Sequence, residues 1–318
     1  AKLLHCGLDT AQRTLKRTTQ RGIRHALHPL QRRYRVDHLM LNRRRLNDTF
    51  YTDTLFSKVK SMNGNTCAQV YSNGSFTKVF PMADKTGARV GQTLTDFADD
   101  VGIPDTLVMD LAPEQAGKHT EMQTEARRLR VRIRFTEKGR SEQNHTAEGE
   151  IGQLKRRWKH RMTTKNVPRC LWDYGLVHEA EVLSILARGK DQVPGLEKVL
   201  GQTIDISEYL DFSIWDLVWY WDQSKTSDMS DEQKKLGRWL GIAHRVGSEM
   251  TYWILTEHCK VIARSTVQHV LFADLQQETV KAKAARFEQL IDENLRGRET
   301  IVNVPNVFYL DDEDTPDG

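Results

Sequence analysis

A change of hydrophobic period between residues 48 and 188 constrains this chain most. Three β-rich stretches come first, FYTDTLFSKV, TCAQVYS and FTKVFPM, with Asn73-Gly74 between the second and third. Period-two alternation and an Asn-Gly pair predict adjacent antiparallel strands. The period then lengthens. Residues 85–101 carry Val90, Leu94, Phe97, Ala98 and Val101 at helical spacing. DTLVMDLAP reads as a short apolar strand, HTEMQTEARRLR as a helix, VRIRFTE as a strand and EKGRSEQNHT as a polar loop. AEGEIGQLKRRWKHRM sets Ile151, Leu154 and Trp158 on one side of a helix, and a further helix opens at Pro168. The order β-β-β-α-β-α-β-α-α predicts an α/β domain over residues 47–188, a mixed five-stranded sheet with helices on both faces.

Other patterns flank this core. Residues 1–46 are expected to be a basic N-terminal arm with a short helix over 8–20, capped by Asp9 or Thr10 and ended by Gly22. Residues 189–208 read as a connector. Five of the seven tryptophans, Trp215, Trp219, Trp221, Trp239 and Trp253, fall within residues 209–273, among short alternating segments divided by turns. That spacing predicts a separate small β-barrel with the aromatics as its core. Base stacking is the other use such aromatics serve. Residues 274–318 read as a charged helix followed by an acidic tail.

Charge is unevenly spread. Residues 1–50 hold 12 Lys+Arg against 3 Asp+Glu, a local +9, whereas residues 274–318 hold 5 against 11, a local −6. A basic arm of this kind binds polyanions by displacing counterions, or else forms a solvated face. No run of about 18 apolar residues predicts a membrane span. Cys6, Cys67, Cys170 and Cys259 lie far apart with no C-x-x-C pair, so neither a disulfide framework nor a four-cysteine zinc site is expected.

Three acids stand out by position: Asp53 within the first strand, Asp110 at the end of the fourth, and Glu148 at the start of a helix. If the first and fourth strands are neighbours, the two aspartates can face one another, and a nearby helix start can add the glutamate. Such an oxygen-rich set with open positions suits hard divalent cations. Any one of them alone reads more simply as a surface acid.

The set Asp53, Asp110 and Glu148 resembles the D,D-E signature of retroviral and retrotransposon integrases. The 37 residues between Asp110 and Glu148 are compatible with that family, and Gln143-Asn144 followed by Ala147-Glu148 is similar to its Asn-x-x-x-Glu stretch. PGLEKVLGQTIDISEYLDF resembles the connector after Copia-type integrase cores, and LGRWLGIAHRVGSEMTYWILTEHCKVIARSTVQHV resembles the SH3-like domain that follows. The resemblance, running from about residue 45 to 273, implies an RNase H-like catalytic core and an SH3-like β-barrel, as the integrase part of a Pol polyprotein. It implies DNA 3′-end processing and strand transfer with Mg²⁺ or Mn²⁺, two ions held by Asp53, Asp110 and Glu148. The implied partners are element ends and a target duplex, with a homo-oligomer acting in the nucleus after passage through cytoplasmic particles. Lys155 and Arg156, with Arg157 nearby, are expected to hold DNA phosphates, and Arg140, Gln143 and Asn144 to line the cut end. The family's His-His-Cys-Cys module is not matched: His25 and His28 have helpful spacing, but no cysteine pair follows, so no zinc module is expected. Glu150 lies two positions on from Glu148 and should point away from its face. A catalytically decayed DNA-binding relic, and an RNase H-like nuclease without joining activity, are the alternatives.

Overall fold

The computed structural model describes residues 1–22, 43–110, 120–136, 145–222, 234–247 and 250–302. In chain order the elements are α1 (Leu8–Arg17), β1 (Arg45–Phe56), β2 (Cys67–Ser72), β3 (Thr77–Met82), α2 (Gly87–Asp100), β4 (Ile103–Met109), α3 (Glu121–Arg128), β5 (Arg132–Phe135), α4 (His145–Lys165) and α5 (Trp172–Ile185). They continue with α6 (Gly195–Leu200), β6 (Leu217–Trp221), β7 (Lys234–Ile242), β8 (Tyr252–Thr256), β9 (Val261–Arg264), β10 (Val267–His269), α7 (Phe272–Gln276) and α8 (Glu278–Asn294). Among the described residues no helix is long and apolar enough to cross a membrane.

The first sheet has the order β3-β2-β1-β4-β5. β1–β2 and β2–β3 are antiparallel, and β1–β4 and β4–β5 are parallel, so the sheet is mixed as expected. The β2–β3 turn is set by Asn73, whose Oδ1 accepts from the backbone N–H of Ser75 (3.0 Å) and Phe76 (2.7 Å). Gly74 takes φ +83°, a left-handed conformation that disfavours a side chain. Period-two alternation sends Phe50 to one face of β1 and Leu55 to the other. Phe50 packs with Leu94, Phe97 and Met122 under α2 and α3. Leu55 packs with Val70, Ile151, Leu154, Trp158 and Leu176 under α4 and α5. Trp158 is fully buried. Its ring lies so near Gly175 that a Cβ there would stand 2.2 Å away, so α4 and α5 meet only because residue 175 has no side chain.

The second sheet is separate and antiparallel throughout, with the order β10-β6-β7-β8-β9. The small β-barrel expected from the sequence is not shown, because the sheet does not close among the described residues. β9 pairs with β8 and β10 with β6, and no β9–β10 ladder joins the edges among the described residues. Closure needs edge strands long enough to tilt and pair, whereas β9 has four residues and β10 three. α5 and α8 pack on β7 instead. Trp215, Trp219 and Trp239 are buried and Trp253 half-buried, while Trp221 is exposed. One apolar cluster runs from Leu55 and Trp158 through Leu183 to Trp239, Tyr252 and Ile254, so the two sheets share a core.

Residues 1–22 belong to the folded body. Leu4 and Ala11 are buried. Arg157 donates to the carbonyls of His5 (2.6 Å) and Leu4 (3.0 Å), and Arg161 to that of Leu3 (2.9 Å). α1 ends at Thr18, short of Gly22, where the Thr18 hydroxyl donates back to the Thr14 carbonyl and Thr19 bridges to Asp205. Gly7 takes the N-cap position, and Asp9 lies inside the first turn rather than capping it. Of the basic arm, residues 23–42 lie outside the described residues, as do 303–318 of the acidic tail.

Candidate active site

Strand register places the two aspartates. Tyr51 pairs with Val108 and Thr52 with Met109 in the parallel β1–β4 ladder. Continuing it one residue sets Asp53 opposite Asp110, on strands about 4.8 Å apart. Thr52 and Met109 point to the α2–α3 side, where Met109 joins the aromatic cluster. Both aspartates therefore point to the opposite face, the one covered by α4. Glu148 lies in the first turn of α4. It precedes Ile151 by three residues, so it stands on the same flank as the stripe that packs against β1 and β2.

The electrostatics agree with that placement. Asp53 is pushed up to about 6, first by burial and then by repulsion from Asp110 and Glu148, while the Thr54 N–H and Lys85 pull the other way. Glu148 is also raised, by burial and then by Asp110, with His145 opposing. Two local contacts fix the aspartates. The Thr54 N–H donates to Asp53 Oδ1 at 2.7 Å, and the Thr136 hydroxyl donates to Asp110 Oδ1 at 2.8 Å. Thr136 is a contributor that sequence reasoning missed. It follows β5, whose register with β4 pairs Met109 with Phe135, so the signal was its place one residue past a strand neighbouring Asp110. Lys85, whose ammonium lies 5.8 Å from the Phe56 ring centroid, and His145 were missed as well.

Glu150 is a different kind of residue. It is buried, accepts from the Thr77 hydroxyl (3.0 Å), and accepts from both terminal guanidinium nitrogens of Arg188, Nη1 at 3.0 Å and Nη2 at 2.8 Å. Glu148 is exposed. The pair thus divides into a structural and a site-facing carboxylate, along the lines of helical geometry.

The donor set has the chemistry a hard divalent cation takes: three carboxylates on one face, with anionic repulsion to relieve. The geometry is open. Among the described residues no group of three or more His, Cys, Asp or Glu side chains is closed up enough to hold a metal ion. The expected convergence is thus a shared face and a shared field, without a finished coordination cage.

Lys155 is half-buried and Arg156 exposed on α4, two turns and more beyond Glu148. Arg157 does not join them. It pairs with the buried Glu179 (2.7 Å), as does Arg161 (2.5 Å), and both tie the N-terminal residues to the core. Arg140, Gln143 and Asn144 lie outside the described residues.

No protein-family model matches the chain, and no curated protein matches it. Among solved structures it is similar to a chain in the cryo-electron-microscopy structure of the simian T-cell lymphotropic virus intasome in complex with PP2A regulatory subunit B56 gamma. The identity is 14%, the likeness covers 71% of this chain and 79% of that one, and the TM-score is 0.41. At that distance neither fold nor activity is carried over from it.

Proposed function

We propose that this protein is a metal-dependent polynucleotidyl transferase of the retrotransposon-integrase kind, with an RNase H-like core acting on DNA ends. The observation that supports it is the place of Asp53 and Asp110, each one residue beyond the last ladder pair of the neighbouring parallel strands β1 and β4, with Glu148 in the first turn of α4. The Asp110 charge raises both Asp53 and Glu148, and Glu148 raises Asp53.

Asp53, Asp110 and Glu148 would hold Mg²⁺ or Mn²⁺. Bound there, divalent ions supply Lewis-acid polarisation of a phosphate and an activated attacking oxygen. The chain's own residues do the positioning. Thr54 and Thr136 fix the two aspartates from the sheet, so their geometry is set before substrate arrives. Glu148, exposed at a helix start, is free of the buried contacts that fix Glu150 and can move to complete the donor set. Lys155 and Arg156 would grip phosphates of an element end, which orients the duplex without reading its sequence. Acting on chromosomal target DNA, it would work in the nucleus.

A second reading, hydrolysis without joining, uses the same carboxylates. An oligonucleotide carrying an element-type end, incubated with Mg²⁺ and a target duplex, separates the two. Joined products support transfer; cleavage alone supports a nuclease. Absence of both, in protein that still binds DNA, supports a decayed relic.

A further inference from the structure

A cavity of about 280 Å³ lies between α5 and strands β7 and β8 of the second sheet, and it shares no residue with the carboxylate site. Asp173, Tyr174, Val177, His178 and Glu181 line it from α5, facing Trp253 and Gly241. Gly241 sits at the bulge of β7 with φ +143°, and a Cβ built on it would meet nothing within 4 Å, so the strand irregularity leaves this wall open.

The polar groups of this cavity are unevenly satisfied. Glu181 has two basic partners, the His244 imidazole at 2.9 Å and the Lys78 ammonium at 3.9 Å. Asp173 is 2% exposed, and its partners are neutral: Asn63 and Asn65 each donate a side-chain N–H at 3.0 Å, the Tyr174 N–H donates at 2.9 Å, and the Ser61 hydroxyl also hydrogen-bonds to it. Among the described residues no Lys, Arg or His forms an ion pair with it, and none of the cavity's lining residues is Lys or Arg. His178 is also 2% exposed, and neither ring nitrogen has a hydrogen-bond partner. Burial holds its imidazole down at about 4, neutral and able to accept a proton donor on one nitrogen. Leaving such a group unmet costs about 1–3 kcal/mol. The walls therefore combine an acid without a counter-charge, an unmet acceptor, and two aromatic residues of the type that attract cations.

We propose that this cavity binds a small organic cation, an ammonium or guanidinium on a short apolar stem. The charged head would meet Asp173, one of its N–H groups would satisfy His178, and the stem would lie among Val177, Tyr174 and Trp253. The shared chemistry has two sources, a free alkylamine or alkylguanidine, and the basic side chain of a peptide.

Calorimetry on the full chain with n-butylguanidinium, its neutral analogue n-butylurea and the anion butyrate tests this. The expected result is that butylguanidinium binds at least tenfold more tightly than butylurea, and butyrate does not bind. Agmatine and the capped tripeptide acetyl-Gly-Arg-Gly-amide then identify the source: tighter agmatine points to a free cation, a tighter tripeptide to a partner chain. Asp173→Asn should abolish the preference for the cation, and Val177→Phe, which fills the space, should abolish binding of every probe. Thermal melts check that both variants fold. If Asp173→Asn does not fold, the probe series on the unaltered protein and Val177→Phe still decide. Equal binding of urea and guanidinium, tighter binding of butyrate, undetectable binding of all probes, or unchanged binding by Val177→Phe overturns the proposal.

Discussion

Replacing Asp53 by Asn should stabilise the metal-free protein while removing the proposed DNA cutting and joining. The size of the gain follows from the carboxyl's environment. Its pKa rises from 3.8 to about 6 in the fold. At about 1.4 kcal/mol per unit, keeping Asp53 ionised costs up to about 3 kcal/mol. The sign follows from proton linkage. The folded state binds the proton more tightly than the unfolded chain, so this group's favourable contribution is full below about pH 4. It is lost as pH rises from there through about 6. Asparagine keeps an oxygen for the Thr54 N–H and removes both the buried charge and its repulsion with Asp110 and Glu148. Urea unfolding at pH 8 should therefore show Asp53→Asn more stable by up to about 3 kcal/mol, with less than about 1 kcal/mol gained at pH 4. Mg²⁺ should stabilise the unaltered protein at pH 8, because an ion bound only by the folded state adds its binding free energy, and it should do little for the variant. A gain of the same size at both pH values, or a loss at pH 8, would refute a mutually repelling carboxylate site at Asp53.

Three further outcomes are expected. Glu148→Gln should abolish DNA cutting and joining and leave the unfolding midpoint within the range of a surface change, about 0.5 kcal/mol, whereas Glu150→Gln should lower stability by several-fold more because Arg188 loses its bidentate partner. Glu179→Ala should cost about 3–5 kcal/mol, since it leaves Arg161 buried and unpaired; chemical denaturation measures it. Lys155→Gln and Arg156→Gln should each reduce the slope of log K against log salt by about 0.9 for duplex DNA if each holds one phosphate, and fluorescence anisotropy across a salt series reads this directly.

Much of the fold was legible because its signals are local. The Asn73-Gly74 turn, the alternation of β1 and the Ile151–Leu154–Trp158 stripe each settle one element within a few residues. The strand positions of Asp53 and Asp110 were legible for the same reason: one lies inside a strand and the other just past the end of its parallel neighbour. The separation of Glu148 from Glu150 followed from the roughly 100° turn per helical residue. What failed was long-range. Nothing near Arg157 or Arg161 announces that Glu179, on the next helix, will take both. The LKRRWKHR run therefore looks uniformly available for phosphate, although its buried members are tied into the core. Barrel closure is long-range too, since alternation reveals strands but not whether β9 reaches β10.

The same distinction decides what the basic N-terminal region can do. Its local +9 suggested phosphate binding, and residues 1–22 of it also carry structural contacts. The carbonyls of Leu3, Leu4 and His5 accept from Arg157 and Arg161, and Leu4 is buried beside them. Deleting this stretch would strip buried guanidinium groups of acceptors at about 1–3 kcal/mol each, so loss of DNA binding in such a deletion would report unfolding. Four arginines, Arg24, Arg32, Arg33 and Arg35, against the single acid Asp37, lie between residues 23 and 42. Changing all four to Gln within the full chain is the clean perturbation. If each holds a phosphate, the salt slope for duplex DNA should fall by about 3.6, at 0.9 per contact, in a variant that thermal melts show to be folded. An unchanged slope in a folded variant would reject this segment as a DNA contact.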